Sequence, residues 1–235
     1  MAQKHARKFL GIVLVSASVL FLILFSHPTP TVSSSASALN KIYLPLVTGA
    51  GNNGPTLGGC PMFPTNNVWN ARIDSLPVDS HSAAYINFIG ASTGLHPDFG
   101  ANLDNMGPFG IPFDLVPGSQ SLLPITFDYS GESDPGPYPI PSNPSIEKGS
   151  DAHMLLLDTG HCVLYETWDT RYTNGWLAGS GAKFNLNSNA LRPANWTSAD
   201  AAGLPMLPGL VRYDEVTAGA INHAIRFTVI GTNNT

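Results

Sequence analysis

The sequence predicts a mainly β protein, either an antiparallel sandwich or a jelly-roll-like fold, with long Pro/Gly-rich loops and one or two short helices. Gly and Pro contribute 23 and 20 of the 235 residues, which disfavours a helical bundle and favours strands joined by ordered loops. Six short runs are rich in β-branched and aromatic residues and end at turn residues. Helical patterns are few and short.

The N-terminus has the features of a secretory signal peptide over residues 1–38. Lys4, Arg7 and Lys8 form a basic start, residues 9–25 are apolar and uncharged, and ASA at 36–38 is a cleavage site of small residues. The alternative is an uncleaved membrane anchor, because the apolar run is nearly long enough to span a bilayer. Residues 39–59 predict a low-complexity linker, and residues 60–235 a single β-rich domain.

The charge balance excludes one class of partner. The net charge is −5, and loss of residues 1–38 removes three basic and no acidic residues, which leaves −8. An acidic protein lacks the basic surface that nucleic acid requires, so we expect no nucleic-acid partner. The sequence has no nucleophile elbow, phosphate loop or HExxH motif, so it predicts no cofactor and leaves a metal open. Any membrane contact is expected through the N-terminal segment alone.

Two cysteines, Cys60 and Cys162, are present. In an exported chain they predict one disulfide, which closes a loop of about a hundred residues and stabilises by roughly 4–5 kcal/mol in the chain-entropy model. The alternative is a thiol nucleophile or a metal ligand.

In chain order, the first predicted element is a helix over residues 82–89, capped by Ser80 or Ser82 and ended by Gly90. Strands are predicted over residues 111–116, 122–129, 153–158, 162–168, 176–186 and 222–230. A three-residue turn separates the third strand from the fourth, so these two are expected to pair as an antiparallel hairpin. Single helical turns are predicted at 198–203 and 214–219.

Glu166 is the leading catalytic candidate, because it shares a predicted strand face with Leu164 and Trp168. A carboxylate beside an aromatic ring on a solvent-reachable face suits a sugar. The alternatives are a surface salt bridge or pairing with Arg171. Glycoside hydrolysis needs a second acid about 5–10 Å away. Three residues compete for that role: Asp98, Asp134 and Asp200.

Acidic and histidine residues two positions apart point to the same side of an extended backbone. Such pairs are His96/Asp98, Glu132/Asp134 and Asp151/His153, and each either shares a proton or a metal, or belongs to a turn. His153 and His223 begin predicted strands. Each is either a buried histidine bonded to backbone or an imidazole that opens into a cleft and orients or protonates the substrate. We expect a cluster of Asp98, Asp134, His153, Asp200 and His223.

A sugar-binding platform is expected from Tyr138, Trp168, Trp176 and Trp196, with Arg192 as a further substrate contact. Residues 132–141 are rich in Pro and predict a stiff, polyproline-like loop. This loop either lines a groove with Asp134 and Tyr138 or forms a strap over the core.

Several motifs resemble those of a family of secreted microbial proteins whose activity is uncharacterised. They are CPMFP at 60–64 with NVWN at 67–70, HPDFG at 96–100, SDPGPYPIP at 133–141, SNALRP at 188–193 and SADAAGLPMLPGLVRYDE at 198–215. The resemblance covers about residues 60–228 and implies export and a shared site. Members of the family continue past the position of the strand at 223–227. The resemblance therefore implies a C-terminally incomplete domain. The apolar alternation of the last predicted strand then predicts an exposed apolar patch or an unpaired sheet edge beside it.

Together these observations predict a secreted, β-rich enzyme that hydrolyses extracellular polysaccharide. The first alternative is a non-catalytic module that binds glycan or cell wall. The second is a metal-dependent enzyme that uses the His/Asp pairs.

Overall fold

The computed structural model describes residues 54–95, 99–100 and 110–229. All of them belong to one compact unit, residues 47–235. The signal peptide, most of the linker, His96 and Asp98 lie outside the described residues. Within the described ranges, no helix is long and apolar enough to cross a membrane.

The described chain is mainly sheet with two short helices, which confirms the predicted fold class. The strands are β1 (Thr56–Leu57), β2 (Cys60–Pro61), β3 (Phe113–Val116), β4 (Ile125–Phe127), β5 (Met154–Asp158), β6 (Val163–Trp168), β7 (Arg171–Tyr172), β8 (Trp176–Ala178) and β9 (Ser180–Asn185). The helices are α1 (Ser82–Ile89) and α2 (Tyr213–Ala218), and 3-10 turns lie at Ser130–Glu132 and Leu207–Gly209.

The central sheet has the strand order β3-β5-β6-β9. Strands β5 and β6 pair antiparallel, which confirms the predicted hairpin, and β6 pairs antiparallel with β9. Strand β3 pairs parallel with β5, so the sheet is mixed rather than purely antiparallel. Every residue of β5 is buried, as expected for a central strand that is covered on both faces.

A second sheet, in the order β4-β8-β7, packs on one face of the central sheet. The core between the two sheets contains Ile125 and Ala178 from the second sheet, and Met154 and Leu156 from β5. The predicted strand 176–186 is divided at Gly179 into β8 and β9, one in each sheet. This region therefore joins the two layers of a sandwich-like fold.

Loops cover the other face of the central sheet. Leu155 and Leu157 of β5 pack there in one core with Met62 near the start of the domain and with Met206 and Leu207 near its end. The Cys60–Cys162 disulfide is present and confirms the predicted bond. It links strand β2 to the residue before β6.

The helix predictions are partly confirmed. α1 has the predicted bounds and ends at Gly90, whose N–H donates to Ile86 O. Its N-cap is His81, not a serine, and no side chain caps it. α2 matches the predicted turn at 214–219, whereas residues 198–203 form a non-helical loop.

The strand predicted at 222–230 is wrong over its described part, residues 222–229. The backbone N–H of Ala224 donates to Trp69 O at 2.7 Å, and that of Arg226 donates to Gly209 O at 3.1 Å. These bonds go to loops rather than to a neighbouring strand. The apolar side chains of Ile225 and Phe227 are 48% and 74% exposed, and exposed apolar residues were predicted in this segment. The incomplete-domain interpretation stays a prediction.

Candidate functional site

A cavity of about 210 Å³ opens where the two sheets meet the loop that follows β9. We call it the aromatic groove. The sheet side of its lining consists of Tyr129, Glu132, Trp168 and Ser180. The loop side consists of Thr197, Ser198, Ala199 and Ala201.

Backbone pairing beside Gly179 positions the two aromatic rings. Tyr129 follows β4 and its N–H donates to Gly179 O at 2.9 Å, while Gly179 N–H donates to Trp168 O at 2.8 Å. The ring centroids of Tyr129 and Trp168 lie 6.3 Å apart, at an interplanar angle of 35°. A Cβ on Gly179 would lie 2.3 Å from Trp168 Cε3, so only glycine leaves room for the indole.

Glu132 brings a carboxylate to the groove. It ends the 3-10 turn Ser130–Glu132, and Ser133 holds this turn in place by donating its hydroxyl to Tyr129 O at 2.8 Å. Glu132 Oε2 accepts the Thr197 N–H at 3.1 Å, which ties the turn to the loop across the groove. Glu132 is the single charged residue among the eight that line the cavity, so the lining carries net negative charge.

Arg192 fixes the spacing of the two loops. Its nearly buried guanidinium donates to Thr197 O and to Glu132 O, each at 2.9 Å, and pairs with the Asp134 carboxylate. The sequence predicted Arg192 as a substrate contact. Its donors are instead directed at protein groups, so its observed role is to position Glu132 and Thr197.

The serines of the groove also bond within the protein. Ser180 donates its hydroxyl to Ser198 O at 2.7 Å, and the Ser198 hydroxyl bonds to Leu204 O at 2.6 Å. Neither hydroxyl is paired with a histidine in the hydrogen bonds of the described residues. They therefore serve as parts of the lining rather than as activated nucleophiles.

Glu166 corrects the main sequence prediction. Its side chain is fully buried, so the predicted solvent-reachable carboxylate beside Trp168 is wrong. The Met206 N–H lies 3.0 and 2.9 Å from the two carboxylate oxygens, and the Leu207 N–H donates to Oε1 at 2.9 Å. Alternation along β6 identified the correct face, but the loop around Met206 covers that face.

The environment of Glu166 also changes its protonation. Burial raises the carboxyl pKa to about 7, although the bonds from Leu207 and Met206 and the positive charges of His153 and Arg226 oppose the shift. The carboxylate is thus a buried structural group that holds the 3-10 turn Leu207–Gly209.

The candidates for a second acid are also occupied. Asp134 pairs with Arg192 and accepts the Lys183 N–H at 2.8 Å. Asp200 pairs with Arg226. Asp98 lies outside the described residues. The two described candidates for the second acid are therefore both paired with arginine within the protein.

The two candidate histidines have structural partners. His153 Nδ1 lies 2.5 Å from Glu147 Oε2, and its Nε2 lies 3.2 Å from Ala199 O. Burial lowers the pKa of His153, but the hydrogen bond and charge of Glu147 outweigh it, so the net pKa is raised. His223 Nε2 lies 3.1 Å from the Glu215 carboxylate. Both residues therefore match the first alternative from the sequence, a buried histidine that bonds to protein groups rather than one that opens into a cleft.

The predicted clustering of Asp98, Asp134, His153, Asp200 and His223 stays a prediction, although His153 Nε2 lies 3.2 Å from the carbonyl of Ala199, the residue before Asp200. No hydrogen bond or ion pair joins any two of its four described members, which are Asp134, His153, Asp200 and His223. Within residues 54–95, 99–100 and 110–229, no group of three or more His, Cys, Asp or Glu residues could hold a metal ion.

Of the four predicted platform residues, Trp168 alone lines the groove. Tyr138 is fully buried, and its hydroxyl donates to Asp134 O at 2.9 Å. Burial raises the Tyr138 pKa far above its ordinary value. Trp176 packs against the core between the sheets, and Trp196 lies against the Arg192 guanidinium. Burial therefore removes Tyr138 from the predicted platform, whereas the role of the three half-buried tryptophans stays a prediction.

Sequence reasoning missed two residues of the groove as site residues. Tyr129 ends a predicted strand and stands just before the Ser-Gly-Glu turn, so its position at a strand end was a usable signal. Glu132 appeared only as one member of a pair with Asp134. The two differ because the Asp134 carboxylate pairs with Arg192, whereas the Glu132 carboxylate accepts the Thr197 N–H and Glu132 is one of the lining residues.

Comparison with known proteins supplies no relative. No protein-family model matches the chain, and no curated protein and no solved structure is significantly similar to it. The site must therefore be interpreted from its own geometry.

Proposed function

We propose that this chain is an extracellular carbohydrate-binding protein that holds a sugar ring in the aromatic groove. One observation carries the proposal. The exposed Tyr129, the half-buried Trp168 and the acidic Glu132 line the same cavity, and backbone pairing and Arg192 fix their positions. A sugar ring offers an apolar face that packs on an aromatic ring, and hydroxyl groups around its edge that hydrogen-bond to polar groups.

The lining matches both parts of such a ligand. Tyr129 is 54% exposed, so its ring is open to solvent in the absence of ligand. Glu132 uses one oxygen for the Thr197 N–H. An ionised carboxylate has about four acceptor sites, which leaves capacity for sugar hydroxyls.

Binding is better supported than hydrolysis. Hydrolysis by the usual mechanism needs two carboxyl groups about 5–10 Å apart on either side of the bond. Glu132 is the single carboxylate among the lining residues, and Glu166, Asp134 and Asp200 are buried or paired with arginine. The non-catalytic alternative is therefore the one that we propose.

Export and a glycan or cell-wall partner are part of the same proposal. The Cys60–Cys162 disulfide is compatible with an oxidising compartment outside the cytoplasm. The signal-peptide features of residues 1–38 and the family resemblance also support export.

A binding screen with matched tyrosine variants tests the proposal. The purified protein is measured against a panel of soluble polysaccharides, together with Tyr129→Ala and the control Tyr213→Ala, which removes an 85% exposed tyrosine outside the groove. We expect at least one polysaccharide to bind, to lose about tenfold or more in affinity in Tyr129→Ala, and to bind Tyr213→Ala normally. Equal losses in both variants, or no binding to any polysaccharide, would contradict the proposal. Release of reducing ends would support the hydrolase alternative instead.

A further inference from the structure

We propose that the aromatic groove selects a sugar that carries a free, protonated amino group, so that its ligand is a polysaccharide of unacetylated amino sugars. This inference rests on the proposed carbohydrate-binding function and names the class of sugar.

The first support is the charge of the lining. Glu132 is the single charged residue among the eight lining residues. Arg192 donates to the backbone carbonyl of Glu132, but its guanidinium is paired with the Asp134 carboxylate. An ammonium group would add a charge-assisted hydrogen bond to the Glu132 carboxylate that a neutral sugar cannot make.

The second support is the aromatic pair. The faces of Tyr and Trp rings carry partial negative charge and attract a cation within about 6 Å of the ring centre. The ring centroids of Tyr129 and Trp168 stand 6.3 Å apart at 35°, and both residues line the same cavity as Glu132, so a cation in the groove meets two aromatic residues and one acidic residue. The rings and the carboxylate therefore favour the same kind of group.

The geometry of Glu132 favours a fixed ammonium site over diffuse attraction. Its Oε2 is held by the Thr197 N–H, and Arg192 bonds to the backbone carbonyls of both Thr197 and Glu132. The carboxylate is thus held in position before ligand arrives, which reduces the entropy lost on binding.

The test compares two oligosaccharides that differ only in N-acetylation. Glucosamine hexamer and N-acetylglucosamine hexamer are titrated into the wild-type protein, into Glu132→Gln and into the control Asp74→Asn. Asp74→Asn removes the same charge at a side chain that is 59% exposed and does not line the groove. Gln at position 132 keeps a carbonyl oxygen for the Thr197 N–H, so the loop contact is preserved.

We expect the wild type and Asp74→Asn to bind glucosamine hexamer about tenfold or more tightly than the acetylated hexamer, as charge-assisted hydrogen bonds allow. In Glu132→Gln the preference should disappear, because the amide carries no charge to pair with an ammonium group. Equal affinity of the wild type for both hexamers, or a preference that survives Glu132→Gln, would overturn the inference.

Two further measurements keep the result decisive. If Glu132→Gln does not fold, the salt dependence of the wild type replaces it, because raising the salt concentration should weaken binding of glucosamine hexamer much more than of the acetylated hexamer. Lysine hexamer is the probe for charge without sugar, and binding as tight as that of glucosamine hexamer would overturn the assignment to an amino sugar. Failure of the carbohydrate proposal looks different, because then neither sugar hexamer binds in a Tyr129-dependent manner.

Discussion

Substitution of Glu166 by Gln should change how the stability of the protein depends on pH. Glu166 is fully buried, and both oxygens of its carboxylate lie within hydrogen-bond distance of the Met206 N–H. Oε1 also accepts the Leu207 N–H. Gln has nearly the same shape but is neutral at every pH and offers one acceptor oxygen instead of two.

The magnitude follows from the raised pKa. Burial raises the carboxyl pKa of Glu166 from an ordinary value of 4.5 to about 7, and a difference of this size corresponds to roughly 3 kcal/mol. Between these two pKa values the folded protein binds more protons than the unfolded chain, so stability falls as pH rises. The contribution is complete below pH 4.5 and is lost as pH rises through about 7.

Most of this change, roughly 2–3 kcal/mol, falls between about pH 5 and pH 8. At pH 5 the wild type should be more stable than Glu166→Gln by about 1–3 kcal/mol, because the amide has lost one acceptor for buried N–H groups. At pH 8 that advantage should vanish or reverse. The raised pKa of His153 gives both proteins a pH dependence of the same sign, and it cancels only in part in their difference because the charge of His153 also acts on Glu166.

The assay is urea unfolding of the wild type, Glu166→Gln and the exposed control Asp74→Asn at both pH values. The quantity of interest is the difference in unfolding free energy from the wild type. We expect it to change by roughly 2–3 kcal/mol for Glu166→Gln and to stay constant for Asp74→Asn. A difference for Glu166→Gln that is the same at pH 5 and pH 8 would refute the argument that burial of this carboxylate dominates its titration.

Three other changes test the groove and its supports. Arg192→Lys should lower stability by about 2 kcal/mol and weaken glycan binding, because an ammonium cannot bridge Thr197 O, Glu132 O and Asp134 at once. Thermal unfolding measures the first effect and the binding screen the second. Unchanged values in both would show that the bridge is dispensable. Gly179→Ala should displace the Trp168 indole, lower stability by about 1–3 kcal/mol and reduce binding, whereas Gly94→Ala, where a Cβ meets open space, should not. Non-reducing peptide mass spectrometry should find the Cys60–Cys162 bond, and its reduction should lower stability by up to about 4–5 kcal/mol. Two free thiols in protein purified from an oxidising compartment would contradict the disulfide.

Local rules predicted the parts of the fold that local chemistry determines. The alternation and the short turn between β5 and β6 predicted their hairpin correctly. Gly90 and Gly219 ended the two helices where expected, because each takes a positive φ that other residues avoid.

Tertiary contacts decided what local rules could not. The alternation of residues 222–229 is that of a strand, but their backbone donors meet loops instead of a neighbouring strand. The single apolar run 176–186 carried no sign that it serves two sheets, apart from Gly179 at the point of division.

The site was the hardest part to predict, because carboxylates of similar appearance take opposite roles. Glu166 was the leading candidate and Asp134 one of three candidate second acids, yet a backbone turn binds Glu166 and Arg192 binds Asp134. Glu132 had a weaker pattern and lines the groove. The different roles of Asp134 and Glu132 depend on Arg192, which lies about sixty residues further along the chain. Local sequence patterns cannot predict where that arginine will lie.

The central claim is that Tyr129, Glu132 and Trp168 form a carbohydrate site, and amide and indole NMR shifts test it most directly. An isotope-labelled sample is titrated with glucosamine hexamer or with the polysaccharide that binds best in the screen. We expect the largest changes at the Trp168 indole N–H and at the Thr197 amide, whose N–H bonds to Glu132. Changes centred on the exposed Tyr172 and its neighbour Trp176, with Trp168 unmoved, would contradict the account.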